Sequence, residues 1–304
     1  MNSNLLKNLD VPKEKADVVL DTDAFNEIDD QYAISYLIKS DEKLNLKAIY
    51  AAPFLNEKSV SPKDGMEKSY VEIIKLLNLM DKSEISDIVY KGSEKYLADE
   101  KTPVVSPAAK HLAELAEKYT PDNPLYVVEI AAITTVASAV LLNPEIAENI
   151  VIVWLGGHAY DYKDNREFNL MQDIAAARVI FEHDIPLIQV PCMGVVDTFR
   201  ISKPEIEFWL KGKNKLCDYL ADYTINVAES GTAELSWTRV IWDVAAVAWL
   251  LNENDRFMES RIVNKHMPNY DFQYNLVNGS GLMRYVFSIN RDALMTDLIG
   301  KLIK

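Results

Sequence analysis

Five acids fall within ten residues of the stretch VVLDTDAFNEIDDQYAISYLI, which spans 18–38: Asp21, Asp23, Glu27, Asp29 and Asp30. The apolar run before them reads as a buried strand, and the apolar periodicity after them as a helix. Like charges repel, and unpaired carboxylates are costly to bury. The cluster therefore either faces solvent or holds something positive. Carboxylate oxygens suit hard cations, and Ca²⁺ takes six to eight oxygens while Mg²⁺ takes six with several waters. Two or three carboxylates from one loop leave a Ca²⁺ shell incomplete, so a backbone carbonyl and a distant carboxylate are expected to complete it. The stretch is not an EF-hand, because the Asp-x-Asp-x-Asp-Gly order and the closing Glu are missing. A plainer reading holds for single acids, with Asp29 as a helix N-cap and Asp30 as a first-turn acid.

The elements that must position these acids alternate along the chain. The β-like runs DVVLDT (17–22), LKAIYAA (46–52), PLYVVEIAA (124–132), NIVIVWLGG (149–157) and IPLIQVP (185–191) are interleaved with helical patterns, among them 69–80 and 173–183. Continuous Val/Ile/Leu runs suit strands buried on both faces, as in parallel sheets. The alternation predicts one α/β domain over 1–304, with a mainly parallel central sheet flanked by helices, open and Rossmann-like. The later part reads as more helical: one or two helices over 203–229, a buried helix in TRVIWDVAAVAWLLN, a late strand RYVFSI and an end helix. In such a sheet ligands gather at the carboxyl ends of the strands, where Asp21 and Asp23 stand.

Bulk properties narrow the partners. A formal charge of −14 argues against a nucleic-acid polymer but leaves room for a cation or a neutral small molecule. Cys192 and Cys217 form neither a disulfide framework nor a zinc spacing, consistent with a reducing, cytoplasmic setting. No signal peptide or membrane-length apolar run is evident, so no membrane partner is expected.

A strand ending in Asp-x-Asp, a short loop, then Asp-Asp opening a helix resembles the DxDxGxDD signature of the inosine-uridine-preferring nucleoside hydrolases. Three further segments fit in chain order. EIAAITTVASAV resembles the family's GPLTNIA segment, with Ile133-Thr134 at its Leu-Thr. VWLGGHAYDYKDNREFN resembles the MGG…EFN segment, with Glu167-Phe168-Asn169 intact. VIWDVAAVAWLL resembles the late HDPxAVA helix, with Asp243 at its Asp, and the closing VFSINRDALMTDLI is also similar. The resemblance implies a Ca²⁺-dependent hydrolase that splits ribonucleosides into ribose and a free base, and a homodimer or homotetramer by analogy. It implies that Asp23, Asp30, the Thr134 carbonyl and Asp243 hold Ca²⁺, and that Asp23 is also the general base. Asp29, Glu167 and Asn169 would bind the ribose, with Asn56 a further match across a loop of different length. Read alone, Glu167 is equally a solvated loop acid. His158, after LGG at a strand end, is either a donor to the substrate or a structural residue.

Two departures stand out. The loop between Asp23 and Asp29 is two residues longer than the usual signature and lacks its glycine, Asn26 and Glu27 being the extras. Asp21 would orient the other acids from behind them. Trp242 precedes Asp243 where many members of the family have His. A purine-specific branch has Trp there, stacked on the base, which tilts the reading toward purine nucleosides; otherwise Trp242 is an ordinary core residue. Trp237, Tyr219 and Tyr223 are further candidates for the base side. Two alternatives remain: a protein of the same fold that binds nucleosides or ribosyl compounds with little hydrolysis, and a Mg²⁺ phosphotransferase with an Asp-x-Asp nucleophile. The second is disfavoured because the Asp-x-Asp-x-[Thr/Val] order is absent after Asp23.

Overall fold

Apolar runs that bury both strand faces drive the architecture, which a computed structural model describes for residues 3–230 and 236–304. A short helix α1 (Ser3–Asn8) is followed by β1 (Ala16–Thr22), α2 (Asp29–Ile38), β2 (Leu44–Ala51), α3 (Pro62–Leu79), β3 (Val89–Lys91) and α4 (Pro107–Ala116). The chain continues through β4 (Leu125–Glu129), α5 (Thr134–Leu142), β5 (Ile150–Leu155), α6 (Phe168–Gln172), α7 (Ile174–Glu182) and β6 (Leu187–Val190). It ends with β7 (Arg200–Ser202), α8 (Lys203–Trp209), α9 (Lys215–Glu229), β8 (Thr238–Val240), α10 (Val244–Trp249), β9 (Met258–Pro268), β10 (Tyr274–Ile289) and α11 (Arg291–Leu302). Every residue of β4, β5 and β6 is buried, so the side chains on both faces of these strands are covered by helices.

The described residues form an eight-stranded sheet in the order β3-β2-β1-β4-β5-β6-β10-β9, parallel except for the β9–β10 pair. The chain winds outward from β1 through β2 to β3, then returns to the other side of β1 and winds outward again from β4. β1 and β4 are thus the neighbours at which the winding reverses, and their carboxyl ends open the crevice where ligands of this architecture bind. One core layer packs α2, α9, α10 and α11 on one face of the sheet, and a second packs α4, α5 and α7 on the other.

The mainly parallel α/β sheet matches the expectation from sequence. The late helix is shorter than expected. Thr238–Val240 pairs antiparallel with Arg200–Ser202, and only Val244–Trp249 is helical. The β-branched Thr238, Val240 and Ile241 at its front favour extended backbone over helix. RYVFSI is the end of a strand that begins at Tyr274, and its partner β9 escaped notice because Glu259, Arg261, Asn264, Lys265 and His266 break its apolar pattern. Among the described residues no helix is long and apolar enough to cross a membrane.

Candidate active site

The end of β1 delivers Asp21 and Asp23 to the crevice, and the first turn of α2 delivers Asp29 and Asp30. All four are buried. Asp29 is not an N-cap: Ile28 holds that position, and no side chain caps the helix. Both acids of the first turn point inward. Thr22 Oγ1 donates to Asp30 Oδ1 at 2.5 Å, and Gln31 Nε2 donates to the Ala24 carbonyl at 2.7 Å, which fixes the loop against the helix. Asp243 arrives from the residue before α10, and its carboxylate oxygen comes within 4.8 Å of those of Asp29 and Asp30. Asp23 faces the same group, and its Oδ2 meets no donor among the described residues.

Burial pushes all of these acids up, and mutual repulsion adds to it. Asp30 is raised to about 7. Asp23, Asp29 and Asp243 lie well above the usual carboxylate range, chiefly through desolvation, then through the neighbouring acids. Four buried carboxyls with an orphaned oxygen need either protons or a cation, and the all-oxygen donor set suits a hard cation.

Behind them lies a pair that the sequence half disclosed. Asp21 stands opposite Glu129 across the β1–β4 ladder. As two carboxylates they would leave Glu129 Oε2 without a donor, and Asp21 with only the Thr135 hydroxyl and the Thr22 amide beside it. A proton held between them supplies one. Burial accordingly raises Asp21 to about 7 and Glu129 well above its usual range, with Asp21's charge the next cause at Glu129. Glu129 went unread, although an acid inside the apolar run LYVVEIAA was the available signal.

Glu167 and Asn169 lie at the start of α6 and are buried. Glu167 Oε1 accepts from the Asn169 amide at 2.9 Å, and Oε2 accepts from the Gly157 and Leu170 amides, each at 2.9 Å. Its carboxylate thus caps α6 and ties down the Gly156-Gly157 turn, which the solvated-loop reading did not foresee. Asn169 Nδ2 donates to the Leu155 carbonyl at 3.0 Å. Cys192, passed over as a plain buried thiol, also belongs here: it faces Glu167, Asp243 and Asp29, and burial raises its thiol well above the usual value. His158 is engaged within the fold. The Met193 amide donates to its Nδ1 at 3.3 Å, and its ring meets Tyr162 edge-to-face at 4.8 Å.

Thr134 opens α5 beside the β1–β4 junction, and its hydroxyl donates to Asp173 Oδ2 at 2.6 Å. The buried Asp173 also accepts from the Leu97 amide at 2.9 Å and the Ala176 amide at 3.0 Å. Asp173→Ala is expected to leave buried donors unmet and to destabilise the protein by about 3 kcal/mol in urea unfolding. A loss under about 1 kcal/mol would show that this brace is dispensable.

Trp242 is half-buried next to Asp243 and packs on the core. Tyr223 of α9 faces Asp30 and Glu27, with Tyr219 stacked on it at 5.7 Å. The extra loop residues both have partners. Asn56 Nδ2 donates to Asn26 Oδ1 at 2.7 Å, which places Asn56 against the loop, and Arg239 pairs with Glu27.

The family model described as inosine-uridine preferring nucleoside hydrolase matches residues 18–271. The fold is similar to that of a plant nucleoside hydrolase, with 16% identity, a TM-score of 0.72 and coverage of 95% of this chain and 99% of that one. It is also similar to a purine-preferring ribonucleoside hydrolase from Gardnerella vaginalis, with 19% identity, a TM-score of 0.72 and coverage of 94% and 98%. A type III effector protein, XopQ, solved in complex with adenosine diphosphate ribose, superposes with a TM-score of 0.70 at 16% identity, covering 99% and 97%. No protein of curated function matches the sequence.

Proposed function

The chain belongs to the inosine-uridine preferring nucleoside hydrolase family, and from that premise we propose that it hydrolyses the N-glycosidic bond of ribonucleosides with the help of Ca²⁺, favouring purine nucleosides. The observation that carries the reading is the convergence of Asp29, Asp30 and Asp243, faced by Asp23 with its orphaned oxygen, in the crevice where the sheet reverses. Asp23, Asp30, Asp243 and the Thr134 carbonyl would hold the ion. Ca²⁺ bound there supplies Lewis acidity that makes water easier to deprotonate and a fixed charge that orients sugar hydroxyls.

The chain's own groups do the rest. Asp23 takes a proton from the attacking water, so its carboxylate must be ionised in the working enzyme. Attack at the anomeric carbon passes through an oxocarbenium-like state, which the surrounding carboxylates stabilise. Asp29 accepts from a ribose hydroxyl, and Asn169 offers its Oδ1 from the facing turn that Glu167 organises. Trp242, half-buried beside Asp243, presents an aromatic face to the leaving base. The departing base takes a proton: stacking on Trp242 raises the basicity of a purine ring nitrogen, which solvent protonates as the C–N bond breaks and its electron pair passes to the base. His158, whose Nδ1 accepts from the Met193 amide, carries its proton on Nε2 and is the alternative donor.

A second reading, a binder of ribosyl compounds with little turnover, is favoured by the longer loop and its tie to Arg239. Measuring ribose released from inosine, uridine and adenosine, with and without chelator, separates the two. Hydrolysis is expected to be fastest with the purine nucleosides and abolished by chelation. Binding without release from any of the three would favour the second reading.

A further inference from the structure

The longer loop carries a charge that the chemistry above does not use. Glu27 meets Arg239 of β8, with both carboxylate oxygens accepting from Nη2, at 2.7 and 3.1 Å. The guanidinium's Nε and Nη1 make no hydrogen bond among the described residues. The two side chains are 42% and 32% exposed, so the pair adds little to stability and its presence calls for another explanation.

The explanation lies in what else stands nearby. Asp29 is repelled by Glu27 and Asp30 and attracted by Arg239. Glu27 lies two positions before Asp29 and Arg239 four before Asp243, so their ion pair sits beside the acidic cluster, and the guanidinium keeps two edges unengaged among the described residues. A charge-assisted bond to a buried carboxylate is stronger than one to an exposed partner, so an unrestrained Arg239 would turn to Asp29.

We propose that Glu27 is a positioning residue that holds the Arg239 guanidinium off Asp29, leaving the acidic cluster open to a cation and to sugar hydroxyls. This rests on the cation-site reading given above. The role is asymmetric. Without Glu27, Arg239 occupies Asp29 and adds positive charge beside the cation. Without Arg239, there is nothing to hold back, and Glu27 is spare.

The test measures Ca²⁺ affinity by competition with a chromophoric chelator, together with kcat and KM for a nucleoside, in four proteins: wild type, Glu27→Gln, Arg239→Met and the double variant. Glu27→Gln is expected to weaken Ca²⁺ binding about tenfold and to raise KM more than it lowers kcat. Arg239→Met is expected to bind Ca²⁺ at least as tightly as wild type. In the Arg239→Met background, Glu27→Gln is expected to shift the affinity by no more than about threefold. Two results would overturn the inference. If Arg239→Met weakens Ca²⁺ as Glu27→Gln does, the pair is a structural brace. If Glu27→Gln has the same effect in both backgrounds, its charge acts through space and restrains nothing. A wild-type protein that takes up no Ca²⁺ is a separate outcome: it removes the cation-site reading and this inference with it.

Discussion

Asp23→Asn is expected to lower nucleoside turnover by roughly a thousandfold or more while leaving the fold intact. Asparagine keeps the size of aspartate and loses its ability to take a proton. It also loses one of the negative charges that stabilise an oxocarbenium-like state beneath the sugar. The same substitution removes a charge from a buried cluster of like charges, where Asp30 and Asp29 both push against Asp23. The cation-free variant is therefore expected to unfold at a temperature no lower than that of the cation-free wild type. Ribose release and thermal unfolding, measured on the same preparation, check both halves. Turnover close to that of wild type would remove Asp23 from the role of base.

Removing the cation is expected to make stability depend steeply on pH. Asp21 and Asp30 are raised from the ordinary 3.8 to about 7, and Asp23, Asp29 and Asp243 are raised well above the usual carboxylate range in the same sense. In the unfolded chain these acids ionise near pH 4, as free carboxylates do. From about pH 4 to 7 the folded, cation-free protein thus binds more protons than the unfolded one, and its stability falls as the pH rises through that window. Chelated protein is expected to melt at least about 5 °C lower at pH 8 than at pH 5. Added Ca²⁺ is expected to restore most of the loss at pH 8, because the ion takes the place of the missing protons. Scanning calorimetry at the two pH values, with chelator and with Ca²⁺, reads this directly. A chelated protein that gains stability between pH 5 and 8 would contradict the clustering of these acids.

What could be read from the chain followed from local physics. Val18, Val19 and Leu20, or Val151, Ile152 and Val153, announce a doubly covered strand wherever they occur, and an acid at such a strand's end announces a crevice. Spacing alone also showed that Asp29 and Asp30 share a helix turn. Spacing could not show which way they face, and Asp29 proved to be a buried member of the acid cluster rather than a cap. Long-range partners were the least legible. Glu27 and Arg239 lie 212 positions apart, and Tyr36 and Asp297 lie 261 apart. Nothing in either neighbourhood names the other. Glu129 and Cys192 were missed for a related reason: a single polar residue in an apolar run gains meaning only from the strand beside it, and strand order is a property of the whole sheet.

The placement of the acids also sets an order of events during synthesis. Asp23, Asp29 and Asp30 lie near the amino terminus, and Asp243 follows about two hundred residues later. At ribosomal speeds of about 5–20 residues per second, the early acids wait on the order of 10–40 s for the fourth. During that interval β1 and α2 can pair with β2, but the ion's full set of ligands does not yet exist. The nascent segment must carry its repelling carboxyls as protonated or solvated groups, and on the cation-site reading proposed above, capture of an ion waits until the segment carrying Asp243 has been made.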